Sequence, residues 1–338
     1  MKRFLIGILV VAALGVVAWG AGAMLTETAA SRWMEERRSA GWVANASDIS
    51  VSGFPMQFTT EFQGVELADP ETGLAWTVES LQFEQDVFRL DRIAARWPAA
   101  QTIASPLERL TLSSIGAETH AMEAMLDVQP TNRFALDALD ADTGPLRVSS
   151  SEGWEMQWDQ GNLSVARVAD TEATYDIATL TTGMVPPEAW RRRLDPANVL
   201  PEAMEQAEVR ATATFDAPWD MDAIERARPQ VTSIDIENLN MQWGDMLFRA
   251  TGTLDVTPGG VPEGELSVRA ENWRAMVELA SNAGVMPERL RTTAEAMLQV
   301  LAGMTGSAEN IDATLSFSNG RMFIGPLPIG PAPSLRIR

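Results

Sequence analysis

Ile311-Asp-Ala-Thr-Leu-Ser-Phe-Ser-Asn-Gly-Arg-Met-Phe-Ile324 decides the fold class. Ile311, Ala313, Leu315 and Phe317 alternate with Asp312, Thr314, Ser316 and Ser318. A period of two gives an extended strand one apolar and one polar face. Asn319-Gly320 follows, a pair that tolerates the positive φ of a tight hairpin turn. Met322 and Ile324 then return, so the segment reads as an antiparallel hairpin with one buried face.

Outward from this hairpin the same period recurs through most of the chain. Val209, Ala211, Ala213 and Phe215 alternate with Arg210, Thr212, Thr214 and Asp216. Met246 to Val256 and Glu265 to Ala270 flank a Pro/Gly turn at 257–262, and Ile234 and Ile236 carry the strand before them. Further back lie Tyr175 to Leu180 and Leu163 to Val168. Trp154, Met156 and Trp158 alternate with Glu155 and Gln157, and Asp159-Gln160-Gly161-Asn162 reads as the turn after them. Phe134 to Leu136 and Leu146 to Val148 flank the turn-rich Asp140 to Pro145. Phe88 to Trp97, Leu107 to Ile115 and Thr119 to Val128 are further strands. Ile49 and Val51 alternate with serines ahead of Gly53-Phe54-Pro55, after which Met56, Phe58, Thr60 and Phe62 line one side. Gly64 interrupts the alternation before Val65 and Leu67, the mark of a bulge or bend. Asp69-Pro70-Glu71-Thr72-Gly73 is a turn, with Leu74 to Phe83 as its return strand.

Helices are few. Pro186 to Leu194 is one, since proline is tolerated at a helix start. The connector Asp195 to Pro201 leads into a short helical turn through Glu205, and Asp220 to Arg228 is a short helix stopped by Pro229. Asn272 caps WRAMVELASNA, which Gly284 ends. Pro287 starts a last helix whose stripe of Leu290, Ala294, Met297, Leu298 and Leu301 is expected to pack on the sheet. Roughly a dozen or more strands face only four or five short helices. Those helices cannot cover every apolar strand face. The uncovered faces pack on one another as a sandwich, or the sheet curls on itself, or it holds something apolar.

The N-terminus is different in kind. Phe4 to Leu25, FLIGILVVAALGVVAWGAGAML, is 22 residues without charge or proline. As a helix it spans about 33 Å, close to the hydrocarbon thickness of a bilayer. Lys2 and Arg3 keep its start cytoplasmic, so the residues from Thr26 onward are expected on the other side. A cleaved signal peptide is the rival reading, with Ala21-Gly22-Ala23 as its cleavage site. Against it, the apolar run is long, and Thr26 to Ser39 continues as helix without Pro or Gly until Gly41 and Trp42. The retained anchor is preferred. Trp19 and Trp33 then fall where an interfacial belt places indoles.

Composition narrows the function. Net charge is −20, which repels phosphate backbones and excludes a basic-patch nucleic-acid binder. There is no cysteine, so disulfide, zinc-thiolate and thiol chemistry are absent. Lys2 is the one lysine and His120 the one histidine, which removes a catalytic lysine from the exported part and most histidine-based metal sites and triads. Tryptophan is abundant, 11 residues against a single tyrosine. Trp76, Trp154, Trp158 and Trp243 read as sheet core, although a lipid-lined groove uses the same residue types.

Several segments carry a resemblance. Ala40-Gly41-Trp42, Val51-Ser52-Gly53-Phe54-Pro55, Leu67-Ala68-Asp69-Pro70, Gly73-Leu74-Ala75-Trp76 and the Trp97-Pro98 pair resemble the domain of unknown function 2125 family. The resemblance extends over nearly the whole chain and is strongest at 40–98 and 244–330. It implies an alphaproteobacterial envelope protein with an N-terminal anchor. The Ser52-Gly53-Phe54-Pro55 step and the closing hairpin, Asn319-Gly320 to Gly325-Pro326-Leu327-Pro328, are also similar to the wider AsmA-like group. That similarity implies a membrane helix followed by an extended, curled periplasmic sheet with an apolar groove, in a group where larger members are thought to move phospholipids. This chain is much shorter than those proposed to bridge two membranes. The resemblance brings no catalytic residues with it.

Other constellations are weak. Asp140-Ala-Asp142-Thr-Gly144 has a faint calcium-loop look, but Ser151 stands where the terminal glutamate belongs, so a turn is the default. Trp190-Arg191-Arg192-Arg193 is the one basic cluster, suited to a lipid phosphate but read first as a solvated helix end. His120 is read as structural, and Gly259-Gly260 as a hairpin turn, because no Lys-Ser/Thr helix follows. No catalytic, metal or cofactor residues are assigned.

The expected architecture is therefore mainly β: an N-terminal transmembrane helix, then a large curled antiparallel sheet or sandwich with a small helical insert. Residues 1–25 are the anchor or uncleaved signal, 26–42 an exit helix, and 43–338 an exported β-rich domain with helical inserts near 186–228 and 272–304. The expected role is non-enzymatic, in the bacterial inner membrane with the C-terminal domain in the periplasm. The expected partners are the membrane itself, through the helix, and phospholipid or other envelope proteins. The alternative is an envelope scaffold without ligand. A hydrolase of envelope polymers is the weakest reading, for want of a nucleophile–base signature.

Overall fold

The computed structural model describes residues 2–115, 121–284, 288–305, 308–325 and 327–337. Thr119, His120 and Pro287, placed by the sequence in a strand and at a helix start, lie outside the described residues.

A single helix, α1 (Lys2–Ser39), opens the chain. Its end is a Schellman cap: Trp42 N–H donates to Arg37 O at 3.0 Å and Gly41 N–H to Arg38 O at 2.9 Å. Gly41 takes the left-handed φ of 90° that this motif requires. The side chains of α1 are described from Gly15 onward, and among the described residues no helix is long and apolar enough to cross a membrane.

All the strands belong to one antiparallel sheet of 20, and the sheet is not closed. Its first part comprises β1 (Val43–Asn45), β2 (Asp48–Ser52), β3 (Gln57–Asp69), β4 (Leu74–Asp86), β5 (Arg89–Pro98), β6 (Gln101–Ala104) and β7 (Arg109–Ser114). Next come β8 (Ala121–Gln129), β9 (Ala135–Asp142), β10 (Leu146–Ser150), β11 (Glu155–Trp158), β12 (Gln160–Arg167) and β13 (Thr174–Met184). After the short α2 (Glu188–Leu194) comes β14 (Met204–Phe215), then α3 (Met221–Glu225), β15 (Val231–Trp243), β16 (Met246–Val256) and β17 (Pro262–Glu271). Two helices, α4 (Trp273–Asn282) and α5 (Glu288–Thr305), precede the closing β18 (Asn310–Ser318), β19 (Arg321–Ile324) and β20 (Leu327–Pro331).

The pairings reduce these 20 strands to a meander with a crease. β5 and β6 both lie along β4, Gln82 opposite Arg96 and Val78 opposite Gln101, so they are one strand broken at 99–100. By the same reasoning β9 continues into β10 and β11 into β12, and β7 and β8 occupy one strand position between β5–β6 and β9–β10. β1 and β2 likewise form one strand along β3, broken at 46–47 opposite Gly64. The breaks line up across the sheet and divide it into a short arm and a long arm. Gly64, Gly144 and Gly183 sit on this line with φ of 57°, 59° and 63°. At Gly183 a side chain has no room, because an added Cβ would lie 3.0 Å from Asp159 Cβ on the facing strand.

Four sequence readings change here. Asp159-Gln160-Gly161-Asn162 is not a turn: β12 begins at Gln160, directly after β11, and Asp159 alone marks the kink. Asp140 and Asp142 lie inside β9, so the bend is confined to Thr143-Gly144-Pro145. In both places polar residues face solvent on a strand that continues, because the partner strand supplies its backbone bonds. The helical turn expected through Glu205 is also replaced by strand, since β14 starts at Met204 and pairs with Met184. Asn272 precedes α4 in left-handed conformation and makes no side-chain cap.

One face of the sheet is largely apolar. Ile93, Leu126, Leu139, Val165 and Ile177 stand directly opposite one another across β5, β8, β9, β12 and β13. The row runs on through Ala211, Ile236, Gly252, Leu266, Leu315 and Ile324. Most of these side chains are only half-buried. The opposite face is polar, as in antiparallel sheets with one solvated side. At the ends of β12–β14, Tyr175 is wholly buried with Ala213 and Phe215, and its hydroxyl accepts the Trp219 N–H at 3.1 Å.

Helices cover this face at its two ends. α4 and α5 lie over β16 to β19, where Trp273, Val277, Leu298 and Ala302 bury Ile311. α1 lies over β1 to β3, with Ala23 and Met34 buried and Trp19 stacked on Phe58 at 5.8 Å. Trp19 also donates to Gln57 O at 2.9 Å, which ties this part of α1 to the sheet. Finally, residues 332–337 cross the strand ends as a strap: Leu335 N–H meets Gly260 O, and Ile337 exchanges two hydrogen bonds with the Gln230 side chain.

Candidate functional site

On the short arm the apolar face opens into a cavity of about 500 Å³. Its walls follow from register. Leu67 faces Trp76, which faces Ile103, on β3, β4 and β6. Gln101 and Leu112 face each other in the next row, and Trp97 faces Met122 at the crease. Trp42, delivered by the α1 cap, closes one side, and Leu74 the rim. The cavity's size lies in the usual range of roughly 300–1,000 Å³ for small-molecule sites.

Three polar residues reach this cavity, and two are already engaged. Gln101 is buried; its Oε1 accepts the Trp76 indole N–H at 2.7 Å and its Nε2 faces Met122 Sδ at 2.9 Å. Asp69 is turned into its own hairpin, accepting Glu71 N–H at 2.9 Å and the Thr72 hydroxyl at 2.8 Å. The third is Arg228, whose side chain has no hydrogen bond or ion pair among the described residues. It comes from the connection between β14 and β15, far along the sheet.

Curvature of the sheet explains the convergence. The seven pairings from β3 to β14 would span about 33 Å across a flat sheet. The sheet therefore curls enough to bring the β14–β15 connection beside Trp42, Leu67 and Leu74, which line the cavity with Arg228. An ion pair holds it there: Arg37 of α1 meets Glu225 of α3 at 3.5 Å, both side chains mostly buried. Arg133, in the β8–β9 turn, supports α3 through Asp222 at 2.7 Å. The site is therefore a corner of the curved sheet, roofed by α3 and the end of α1.

The other sequence candidates do not assemble into a site. Arg191 pairs with Glu202 at 3.2 Å and Arg192 with Glu188 at 3.2 Å. Arg193 donates to the carbonyls of Asn282 and Ala283, at the end of α4. The basic cluster thus lies in the last turn of its own helix, α2, as anticipated, and Arg193 also reaches the end of α4. Asp142 accepts from Asn162 at 3.1 Å, and among the described residues no group of three metal-ligating side chains occurs. His120 lies outside the described residues. A second apolar cavity, of about 210 Å³, lies between α4, α5 and the sheet, lined by Phe248, Trp273, Leu298 and Ile324 among others. The sequence stripe on α5 points to packing there and gave no sign of residual space.

The family described as uncharacterized protein conserved in bacteria, DUF2125, matches residues 19–333. The chain belongs to this family. No curated protein and no solved structure matches it. Four of the five DUF2125 segments quoted above now share a location. Trp42, Leu67, Asp69, Leu74, Trp76 and Trp97 come from four separate segments of that resemblance and line one cavity.

Proposed function

We propose that this DUF2125 protein is a non-enzymatic, single-pass inner-membrane protein whose periplasmic sheet holds the apolar part of a lipid in the short-arm groove. The observation that carries the reading is the tryptophan-rich cavity with one cation, Arg228, that has no partner among the described residues, in a chain of net charge −20. Acyl chains suit the walls, and a guanidinium suits a phosphate or carboxylate head. The apolar run Phe4 to Leu25 behind Lys2-Arg3 supports the anchor and its orientation. The resemblance to AsmA-like proteins points the same way.

The test is native mass spectrometry of the full chain extracted in mild detergent from envelope-targeted expression. Wild type is expected to carry phospholipid in stoichiometric amount. Arg228→Glu and Leu74→Trp, at the rim, are expected to lower occupancy several-fold while the protein stays folded. A lipid-free mass in wild type, or occupancy indifferent to both substitutions, overturns the proposal and shifts weight to a scaffold.

A further inference from the structure

At one end of the sheet two adjoining hairpin tips carry apolar side chains into solvent. The β2–β3 tip exposes Phe54 at 51% and Met56 at 57%, and the β4–β5 tip exposes Phe88 at 80% and Leu90 at 50%. The tips are stitched together, since Val87 N–H donates to Met56 O at 3.0 Å. Each is also held in shape: Gln57 N–H returns to Gly53 O at 3.1 Å, and Phe88 N–H bonds Asp86 at 2.7 Å. Single exposed apolar residues are ordinary on protein surfaces. A joined cluster on rigid tips is not, and it marks an interaction surface.

The neighbour of this cluster indicates its partner. Trp19, inside the apolar run of α1, meets Phe54 edge-on at 5.5 Å. One turn earlier, Val16 and Val17 are exposed as well. The tips therefore lie level with the uncharged stretch of α1, on the same side of the molecule as its N-terminal half. We propose that Phe54, Met56, Phe88 and Leu90 insert into the surface of the bilayer beside α1 and fix how the sheet stands on the membrane. This inference rests on the anchor reading of α1. It needs no basic patch, which suits an acidic chain that anionic headgroups repel. Gln57 and Leu67 are ten residues apart on β3, so about 33 Å of strand, bent at Gly64, separates the groove from the tips.

The chain has no cysteine, so single cysteines can be labelled without background. The full protein is reconstituted into nanodiscs of phosphatidylethanolamine and phosphatidylglycerol, with an environment-sensitive fluorophore at one site per variant. The variants are Met56→Cys, Phe88→Cys, Val17→Cys in the anchor, and Leu107→Cys at the β6–β7 turn, where Leu107 is 88% exposed. Met56→Cys and Phe88→Cys are expected to give blue-shifted emission that spin-labelled lipid quenches, as at Val17→Cys, with neither effect at Leu107→Cys. If Met56→Cys and Phe88→Cys behave like Leu107→Cys while Val17→Cys is quenched, tip insertion is wrong and the anchor stands. If Val17→Cys is also unquenched, the anchor falls with it.

Discussion

Gly183→Ala tests whether the crease is built into the sheet. Gly183 has φ of 63°, and a residue with a Cβ pays about 1–2 kcal/mol for that conformation. An added Cβ would also lie 2.5 Å from the Asp159 carboxyl carbon and 3.0 Å from its Cβ. Asp159 is exposed, so its carboxylate can turn into solvent, but the Cβ contact remains. That residual crowding belongs at the low end of overpacking costs, about 1 kcal/mol. The sum is about 2–3 kcal/mol. Gly153→Ala is the control, because Gly153 has φ of 84° with nothing within 4 Å of an added Cβ. It is expected to cost only the conformational part, about 1–2 kcal/mol. The assay is urea unfolding of the detergent-solubilised chain followed by circular dichroism, with stability from linear extrapolation. If Gly183→Ala costs no more than Gly153→Ala, close approach of the strands does not lock the crease. If it costs nothing, the left-handed bend is not required at all.

Two further predictions concern the roof of the groove and the core of the long arm. Arg37→Met leaves the mostly buried Glu225 with Arg133 at 3.9 Å as its remaining cation, and is expected to cost about 2–3 kcal/mol in the same assay, below the 3–5 kcal/mol of a fully buried pair. Arg192→Met, from an exposed pair, is expected to change stability by less than about 0.5 kcal/mol, and equal costs for the two would refute the roof. Tyr175 is the one tyrosine, and burial raises its hydroxyl above the ordinary 10.0. The unfolded chain then ionises first, so this contribution is intact below pH 10 and is lost as pH rises through the folded-state value. Tyrosinate absorbance should therefore appear above pH 10, together with alkaline unfolding, and titration at 10 in the folded protein would contradict the burial.

What the sequence discloses is what neighbours decide. Asn319-Gly320 specifies its turn locally, and both residues take positive φ, 52° and 72°. Gly64 announces its bend because alternation breaks beside it. The crease as a whole is invisible, because Asp159-Gln160-Gly161-Asn162 has the composition of a turn. Whether such a stretch turns or merely kinks depends on the strand opposite, and the deciding residue is Gly183, more than twenty positions away. The groove is hidden for the same reason. Trp76 reads equally as core or as cavity wall until register sets it beside Ile103. Arg228 reads as the end of a short helix until the curl of the sheet sets it beside Trp42 and Leu74.

The open apolar row gives the two proposals a common physical basis. Phe58, beside the exposed tips, faces Gln85, and Gln85 faces Ile93, the first member of the row. From there apolar side chains cross the sheet to Ile324, which lines the cavity under α4 and α5. At the crease the same face passes through Trp97 and Met122 into the larger groove. A sheet that only needed stability would bury such a row, since each fully covered Leu or Ile gains about 1.5–3 kcal/mol. Here α1 and the paired helices α4 and α5 cover the two ends and leave the middle half-exposed. On the lipid-binding proposal, the ligand completes this uncovered stretch. On the proposed orientation, with Phe54 and Phe88 in the bilayer, the row begins at the membrane surface. It runs across the strands, so it offers an apolar chain a path along the sheet toward the cavity under α4 and α5.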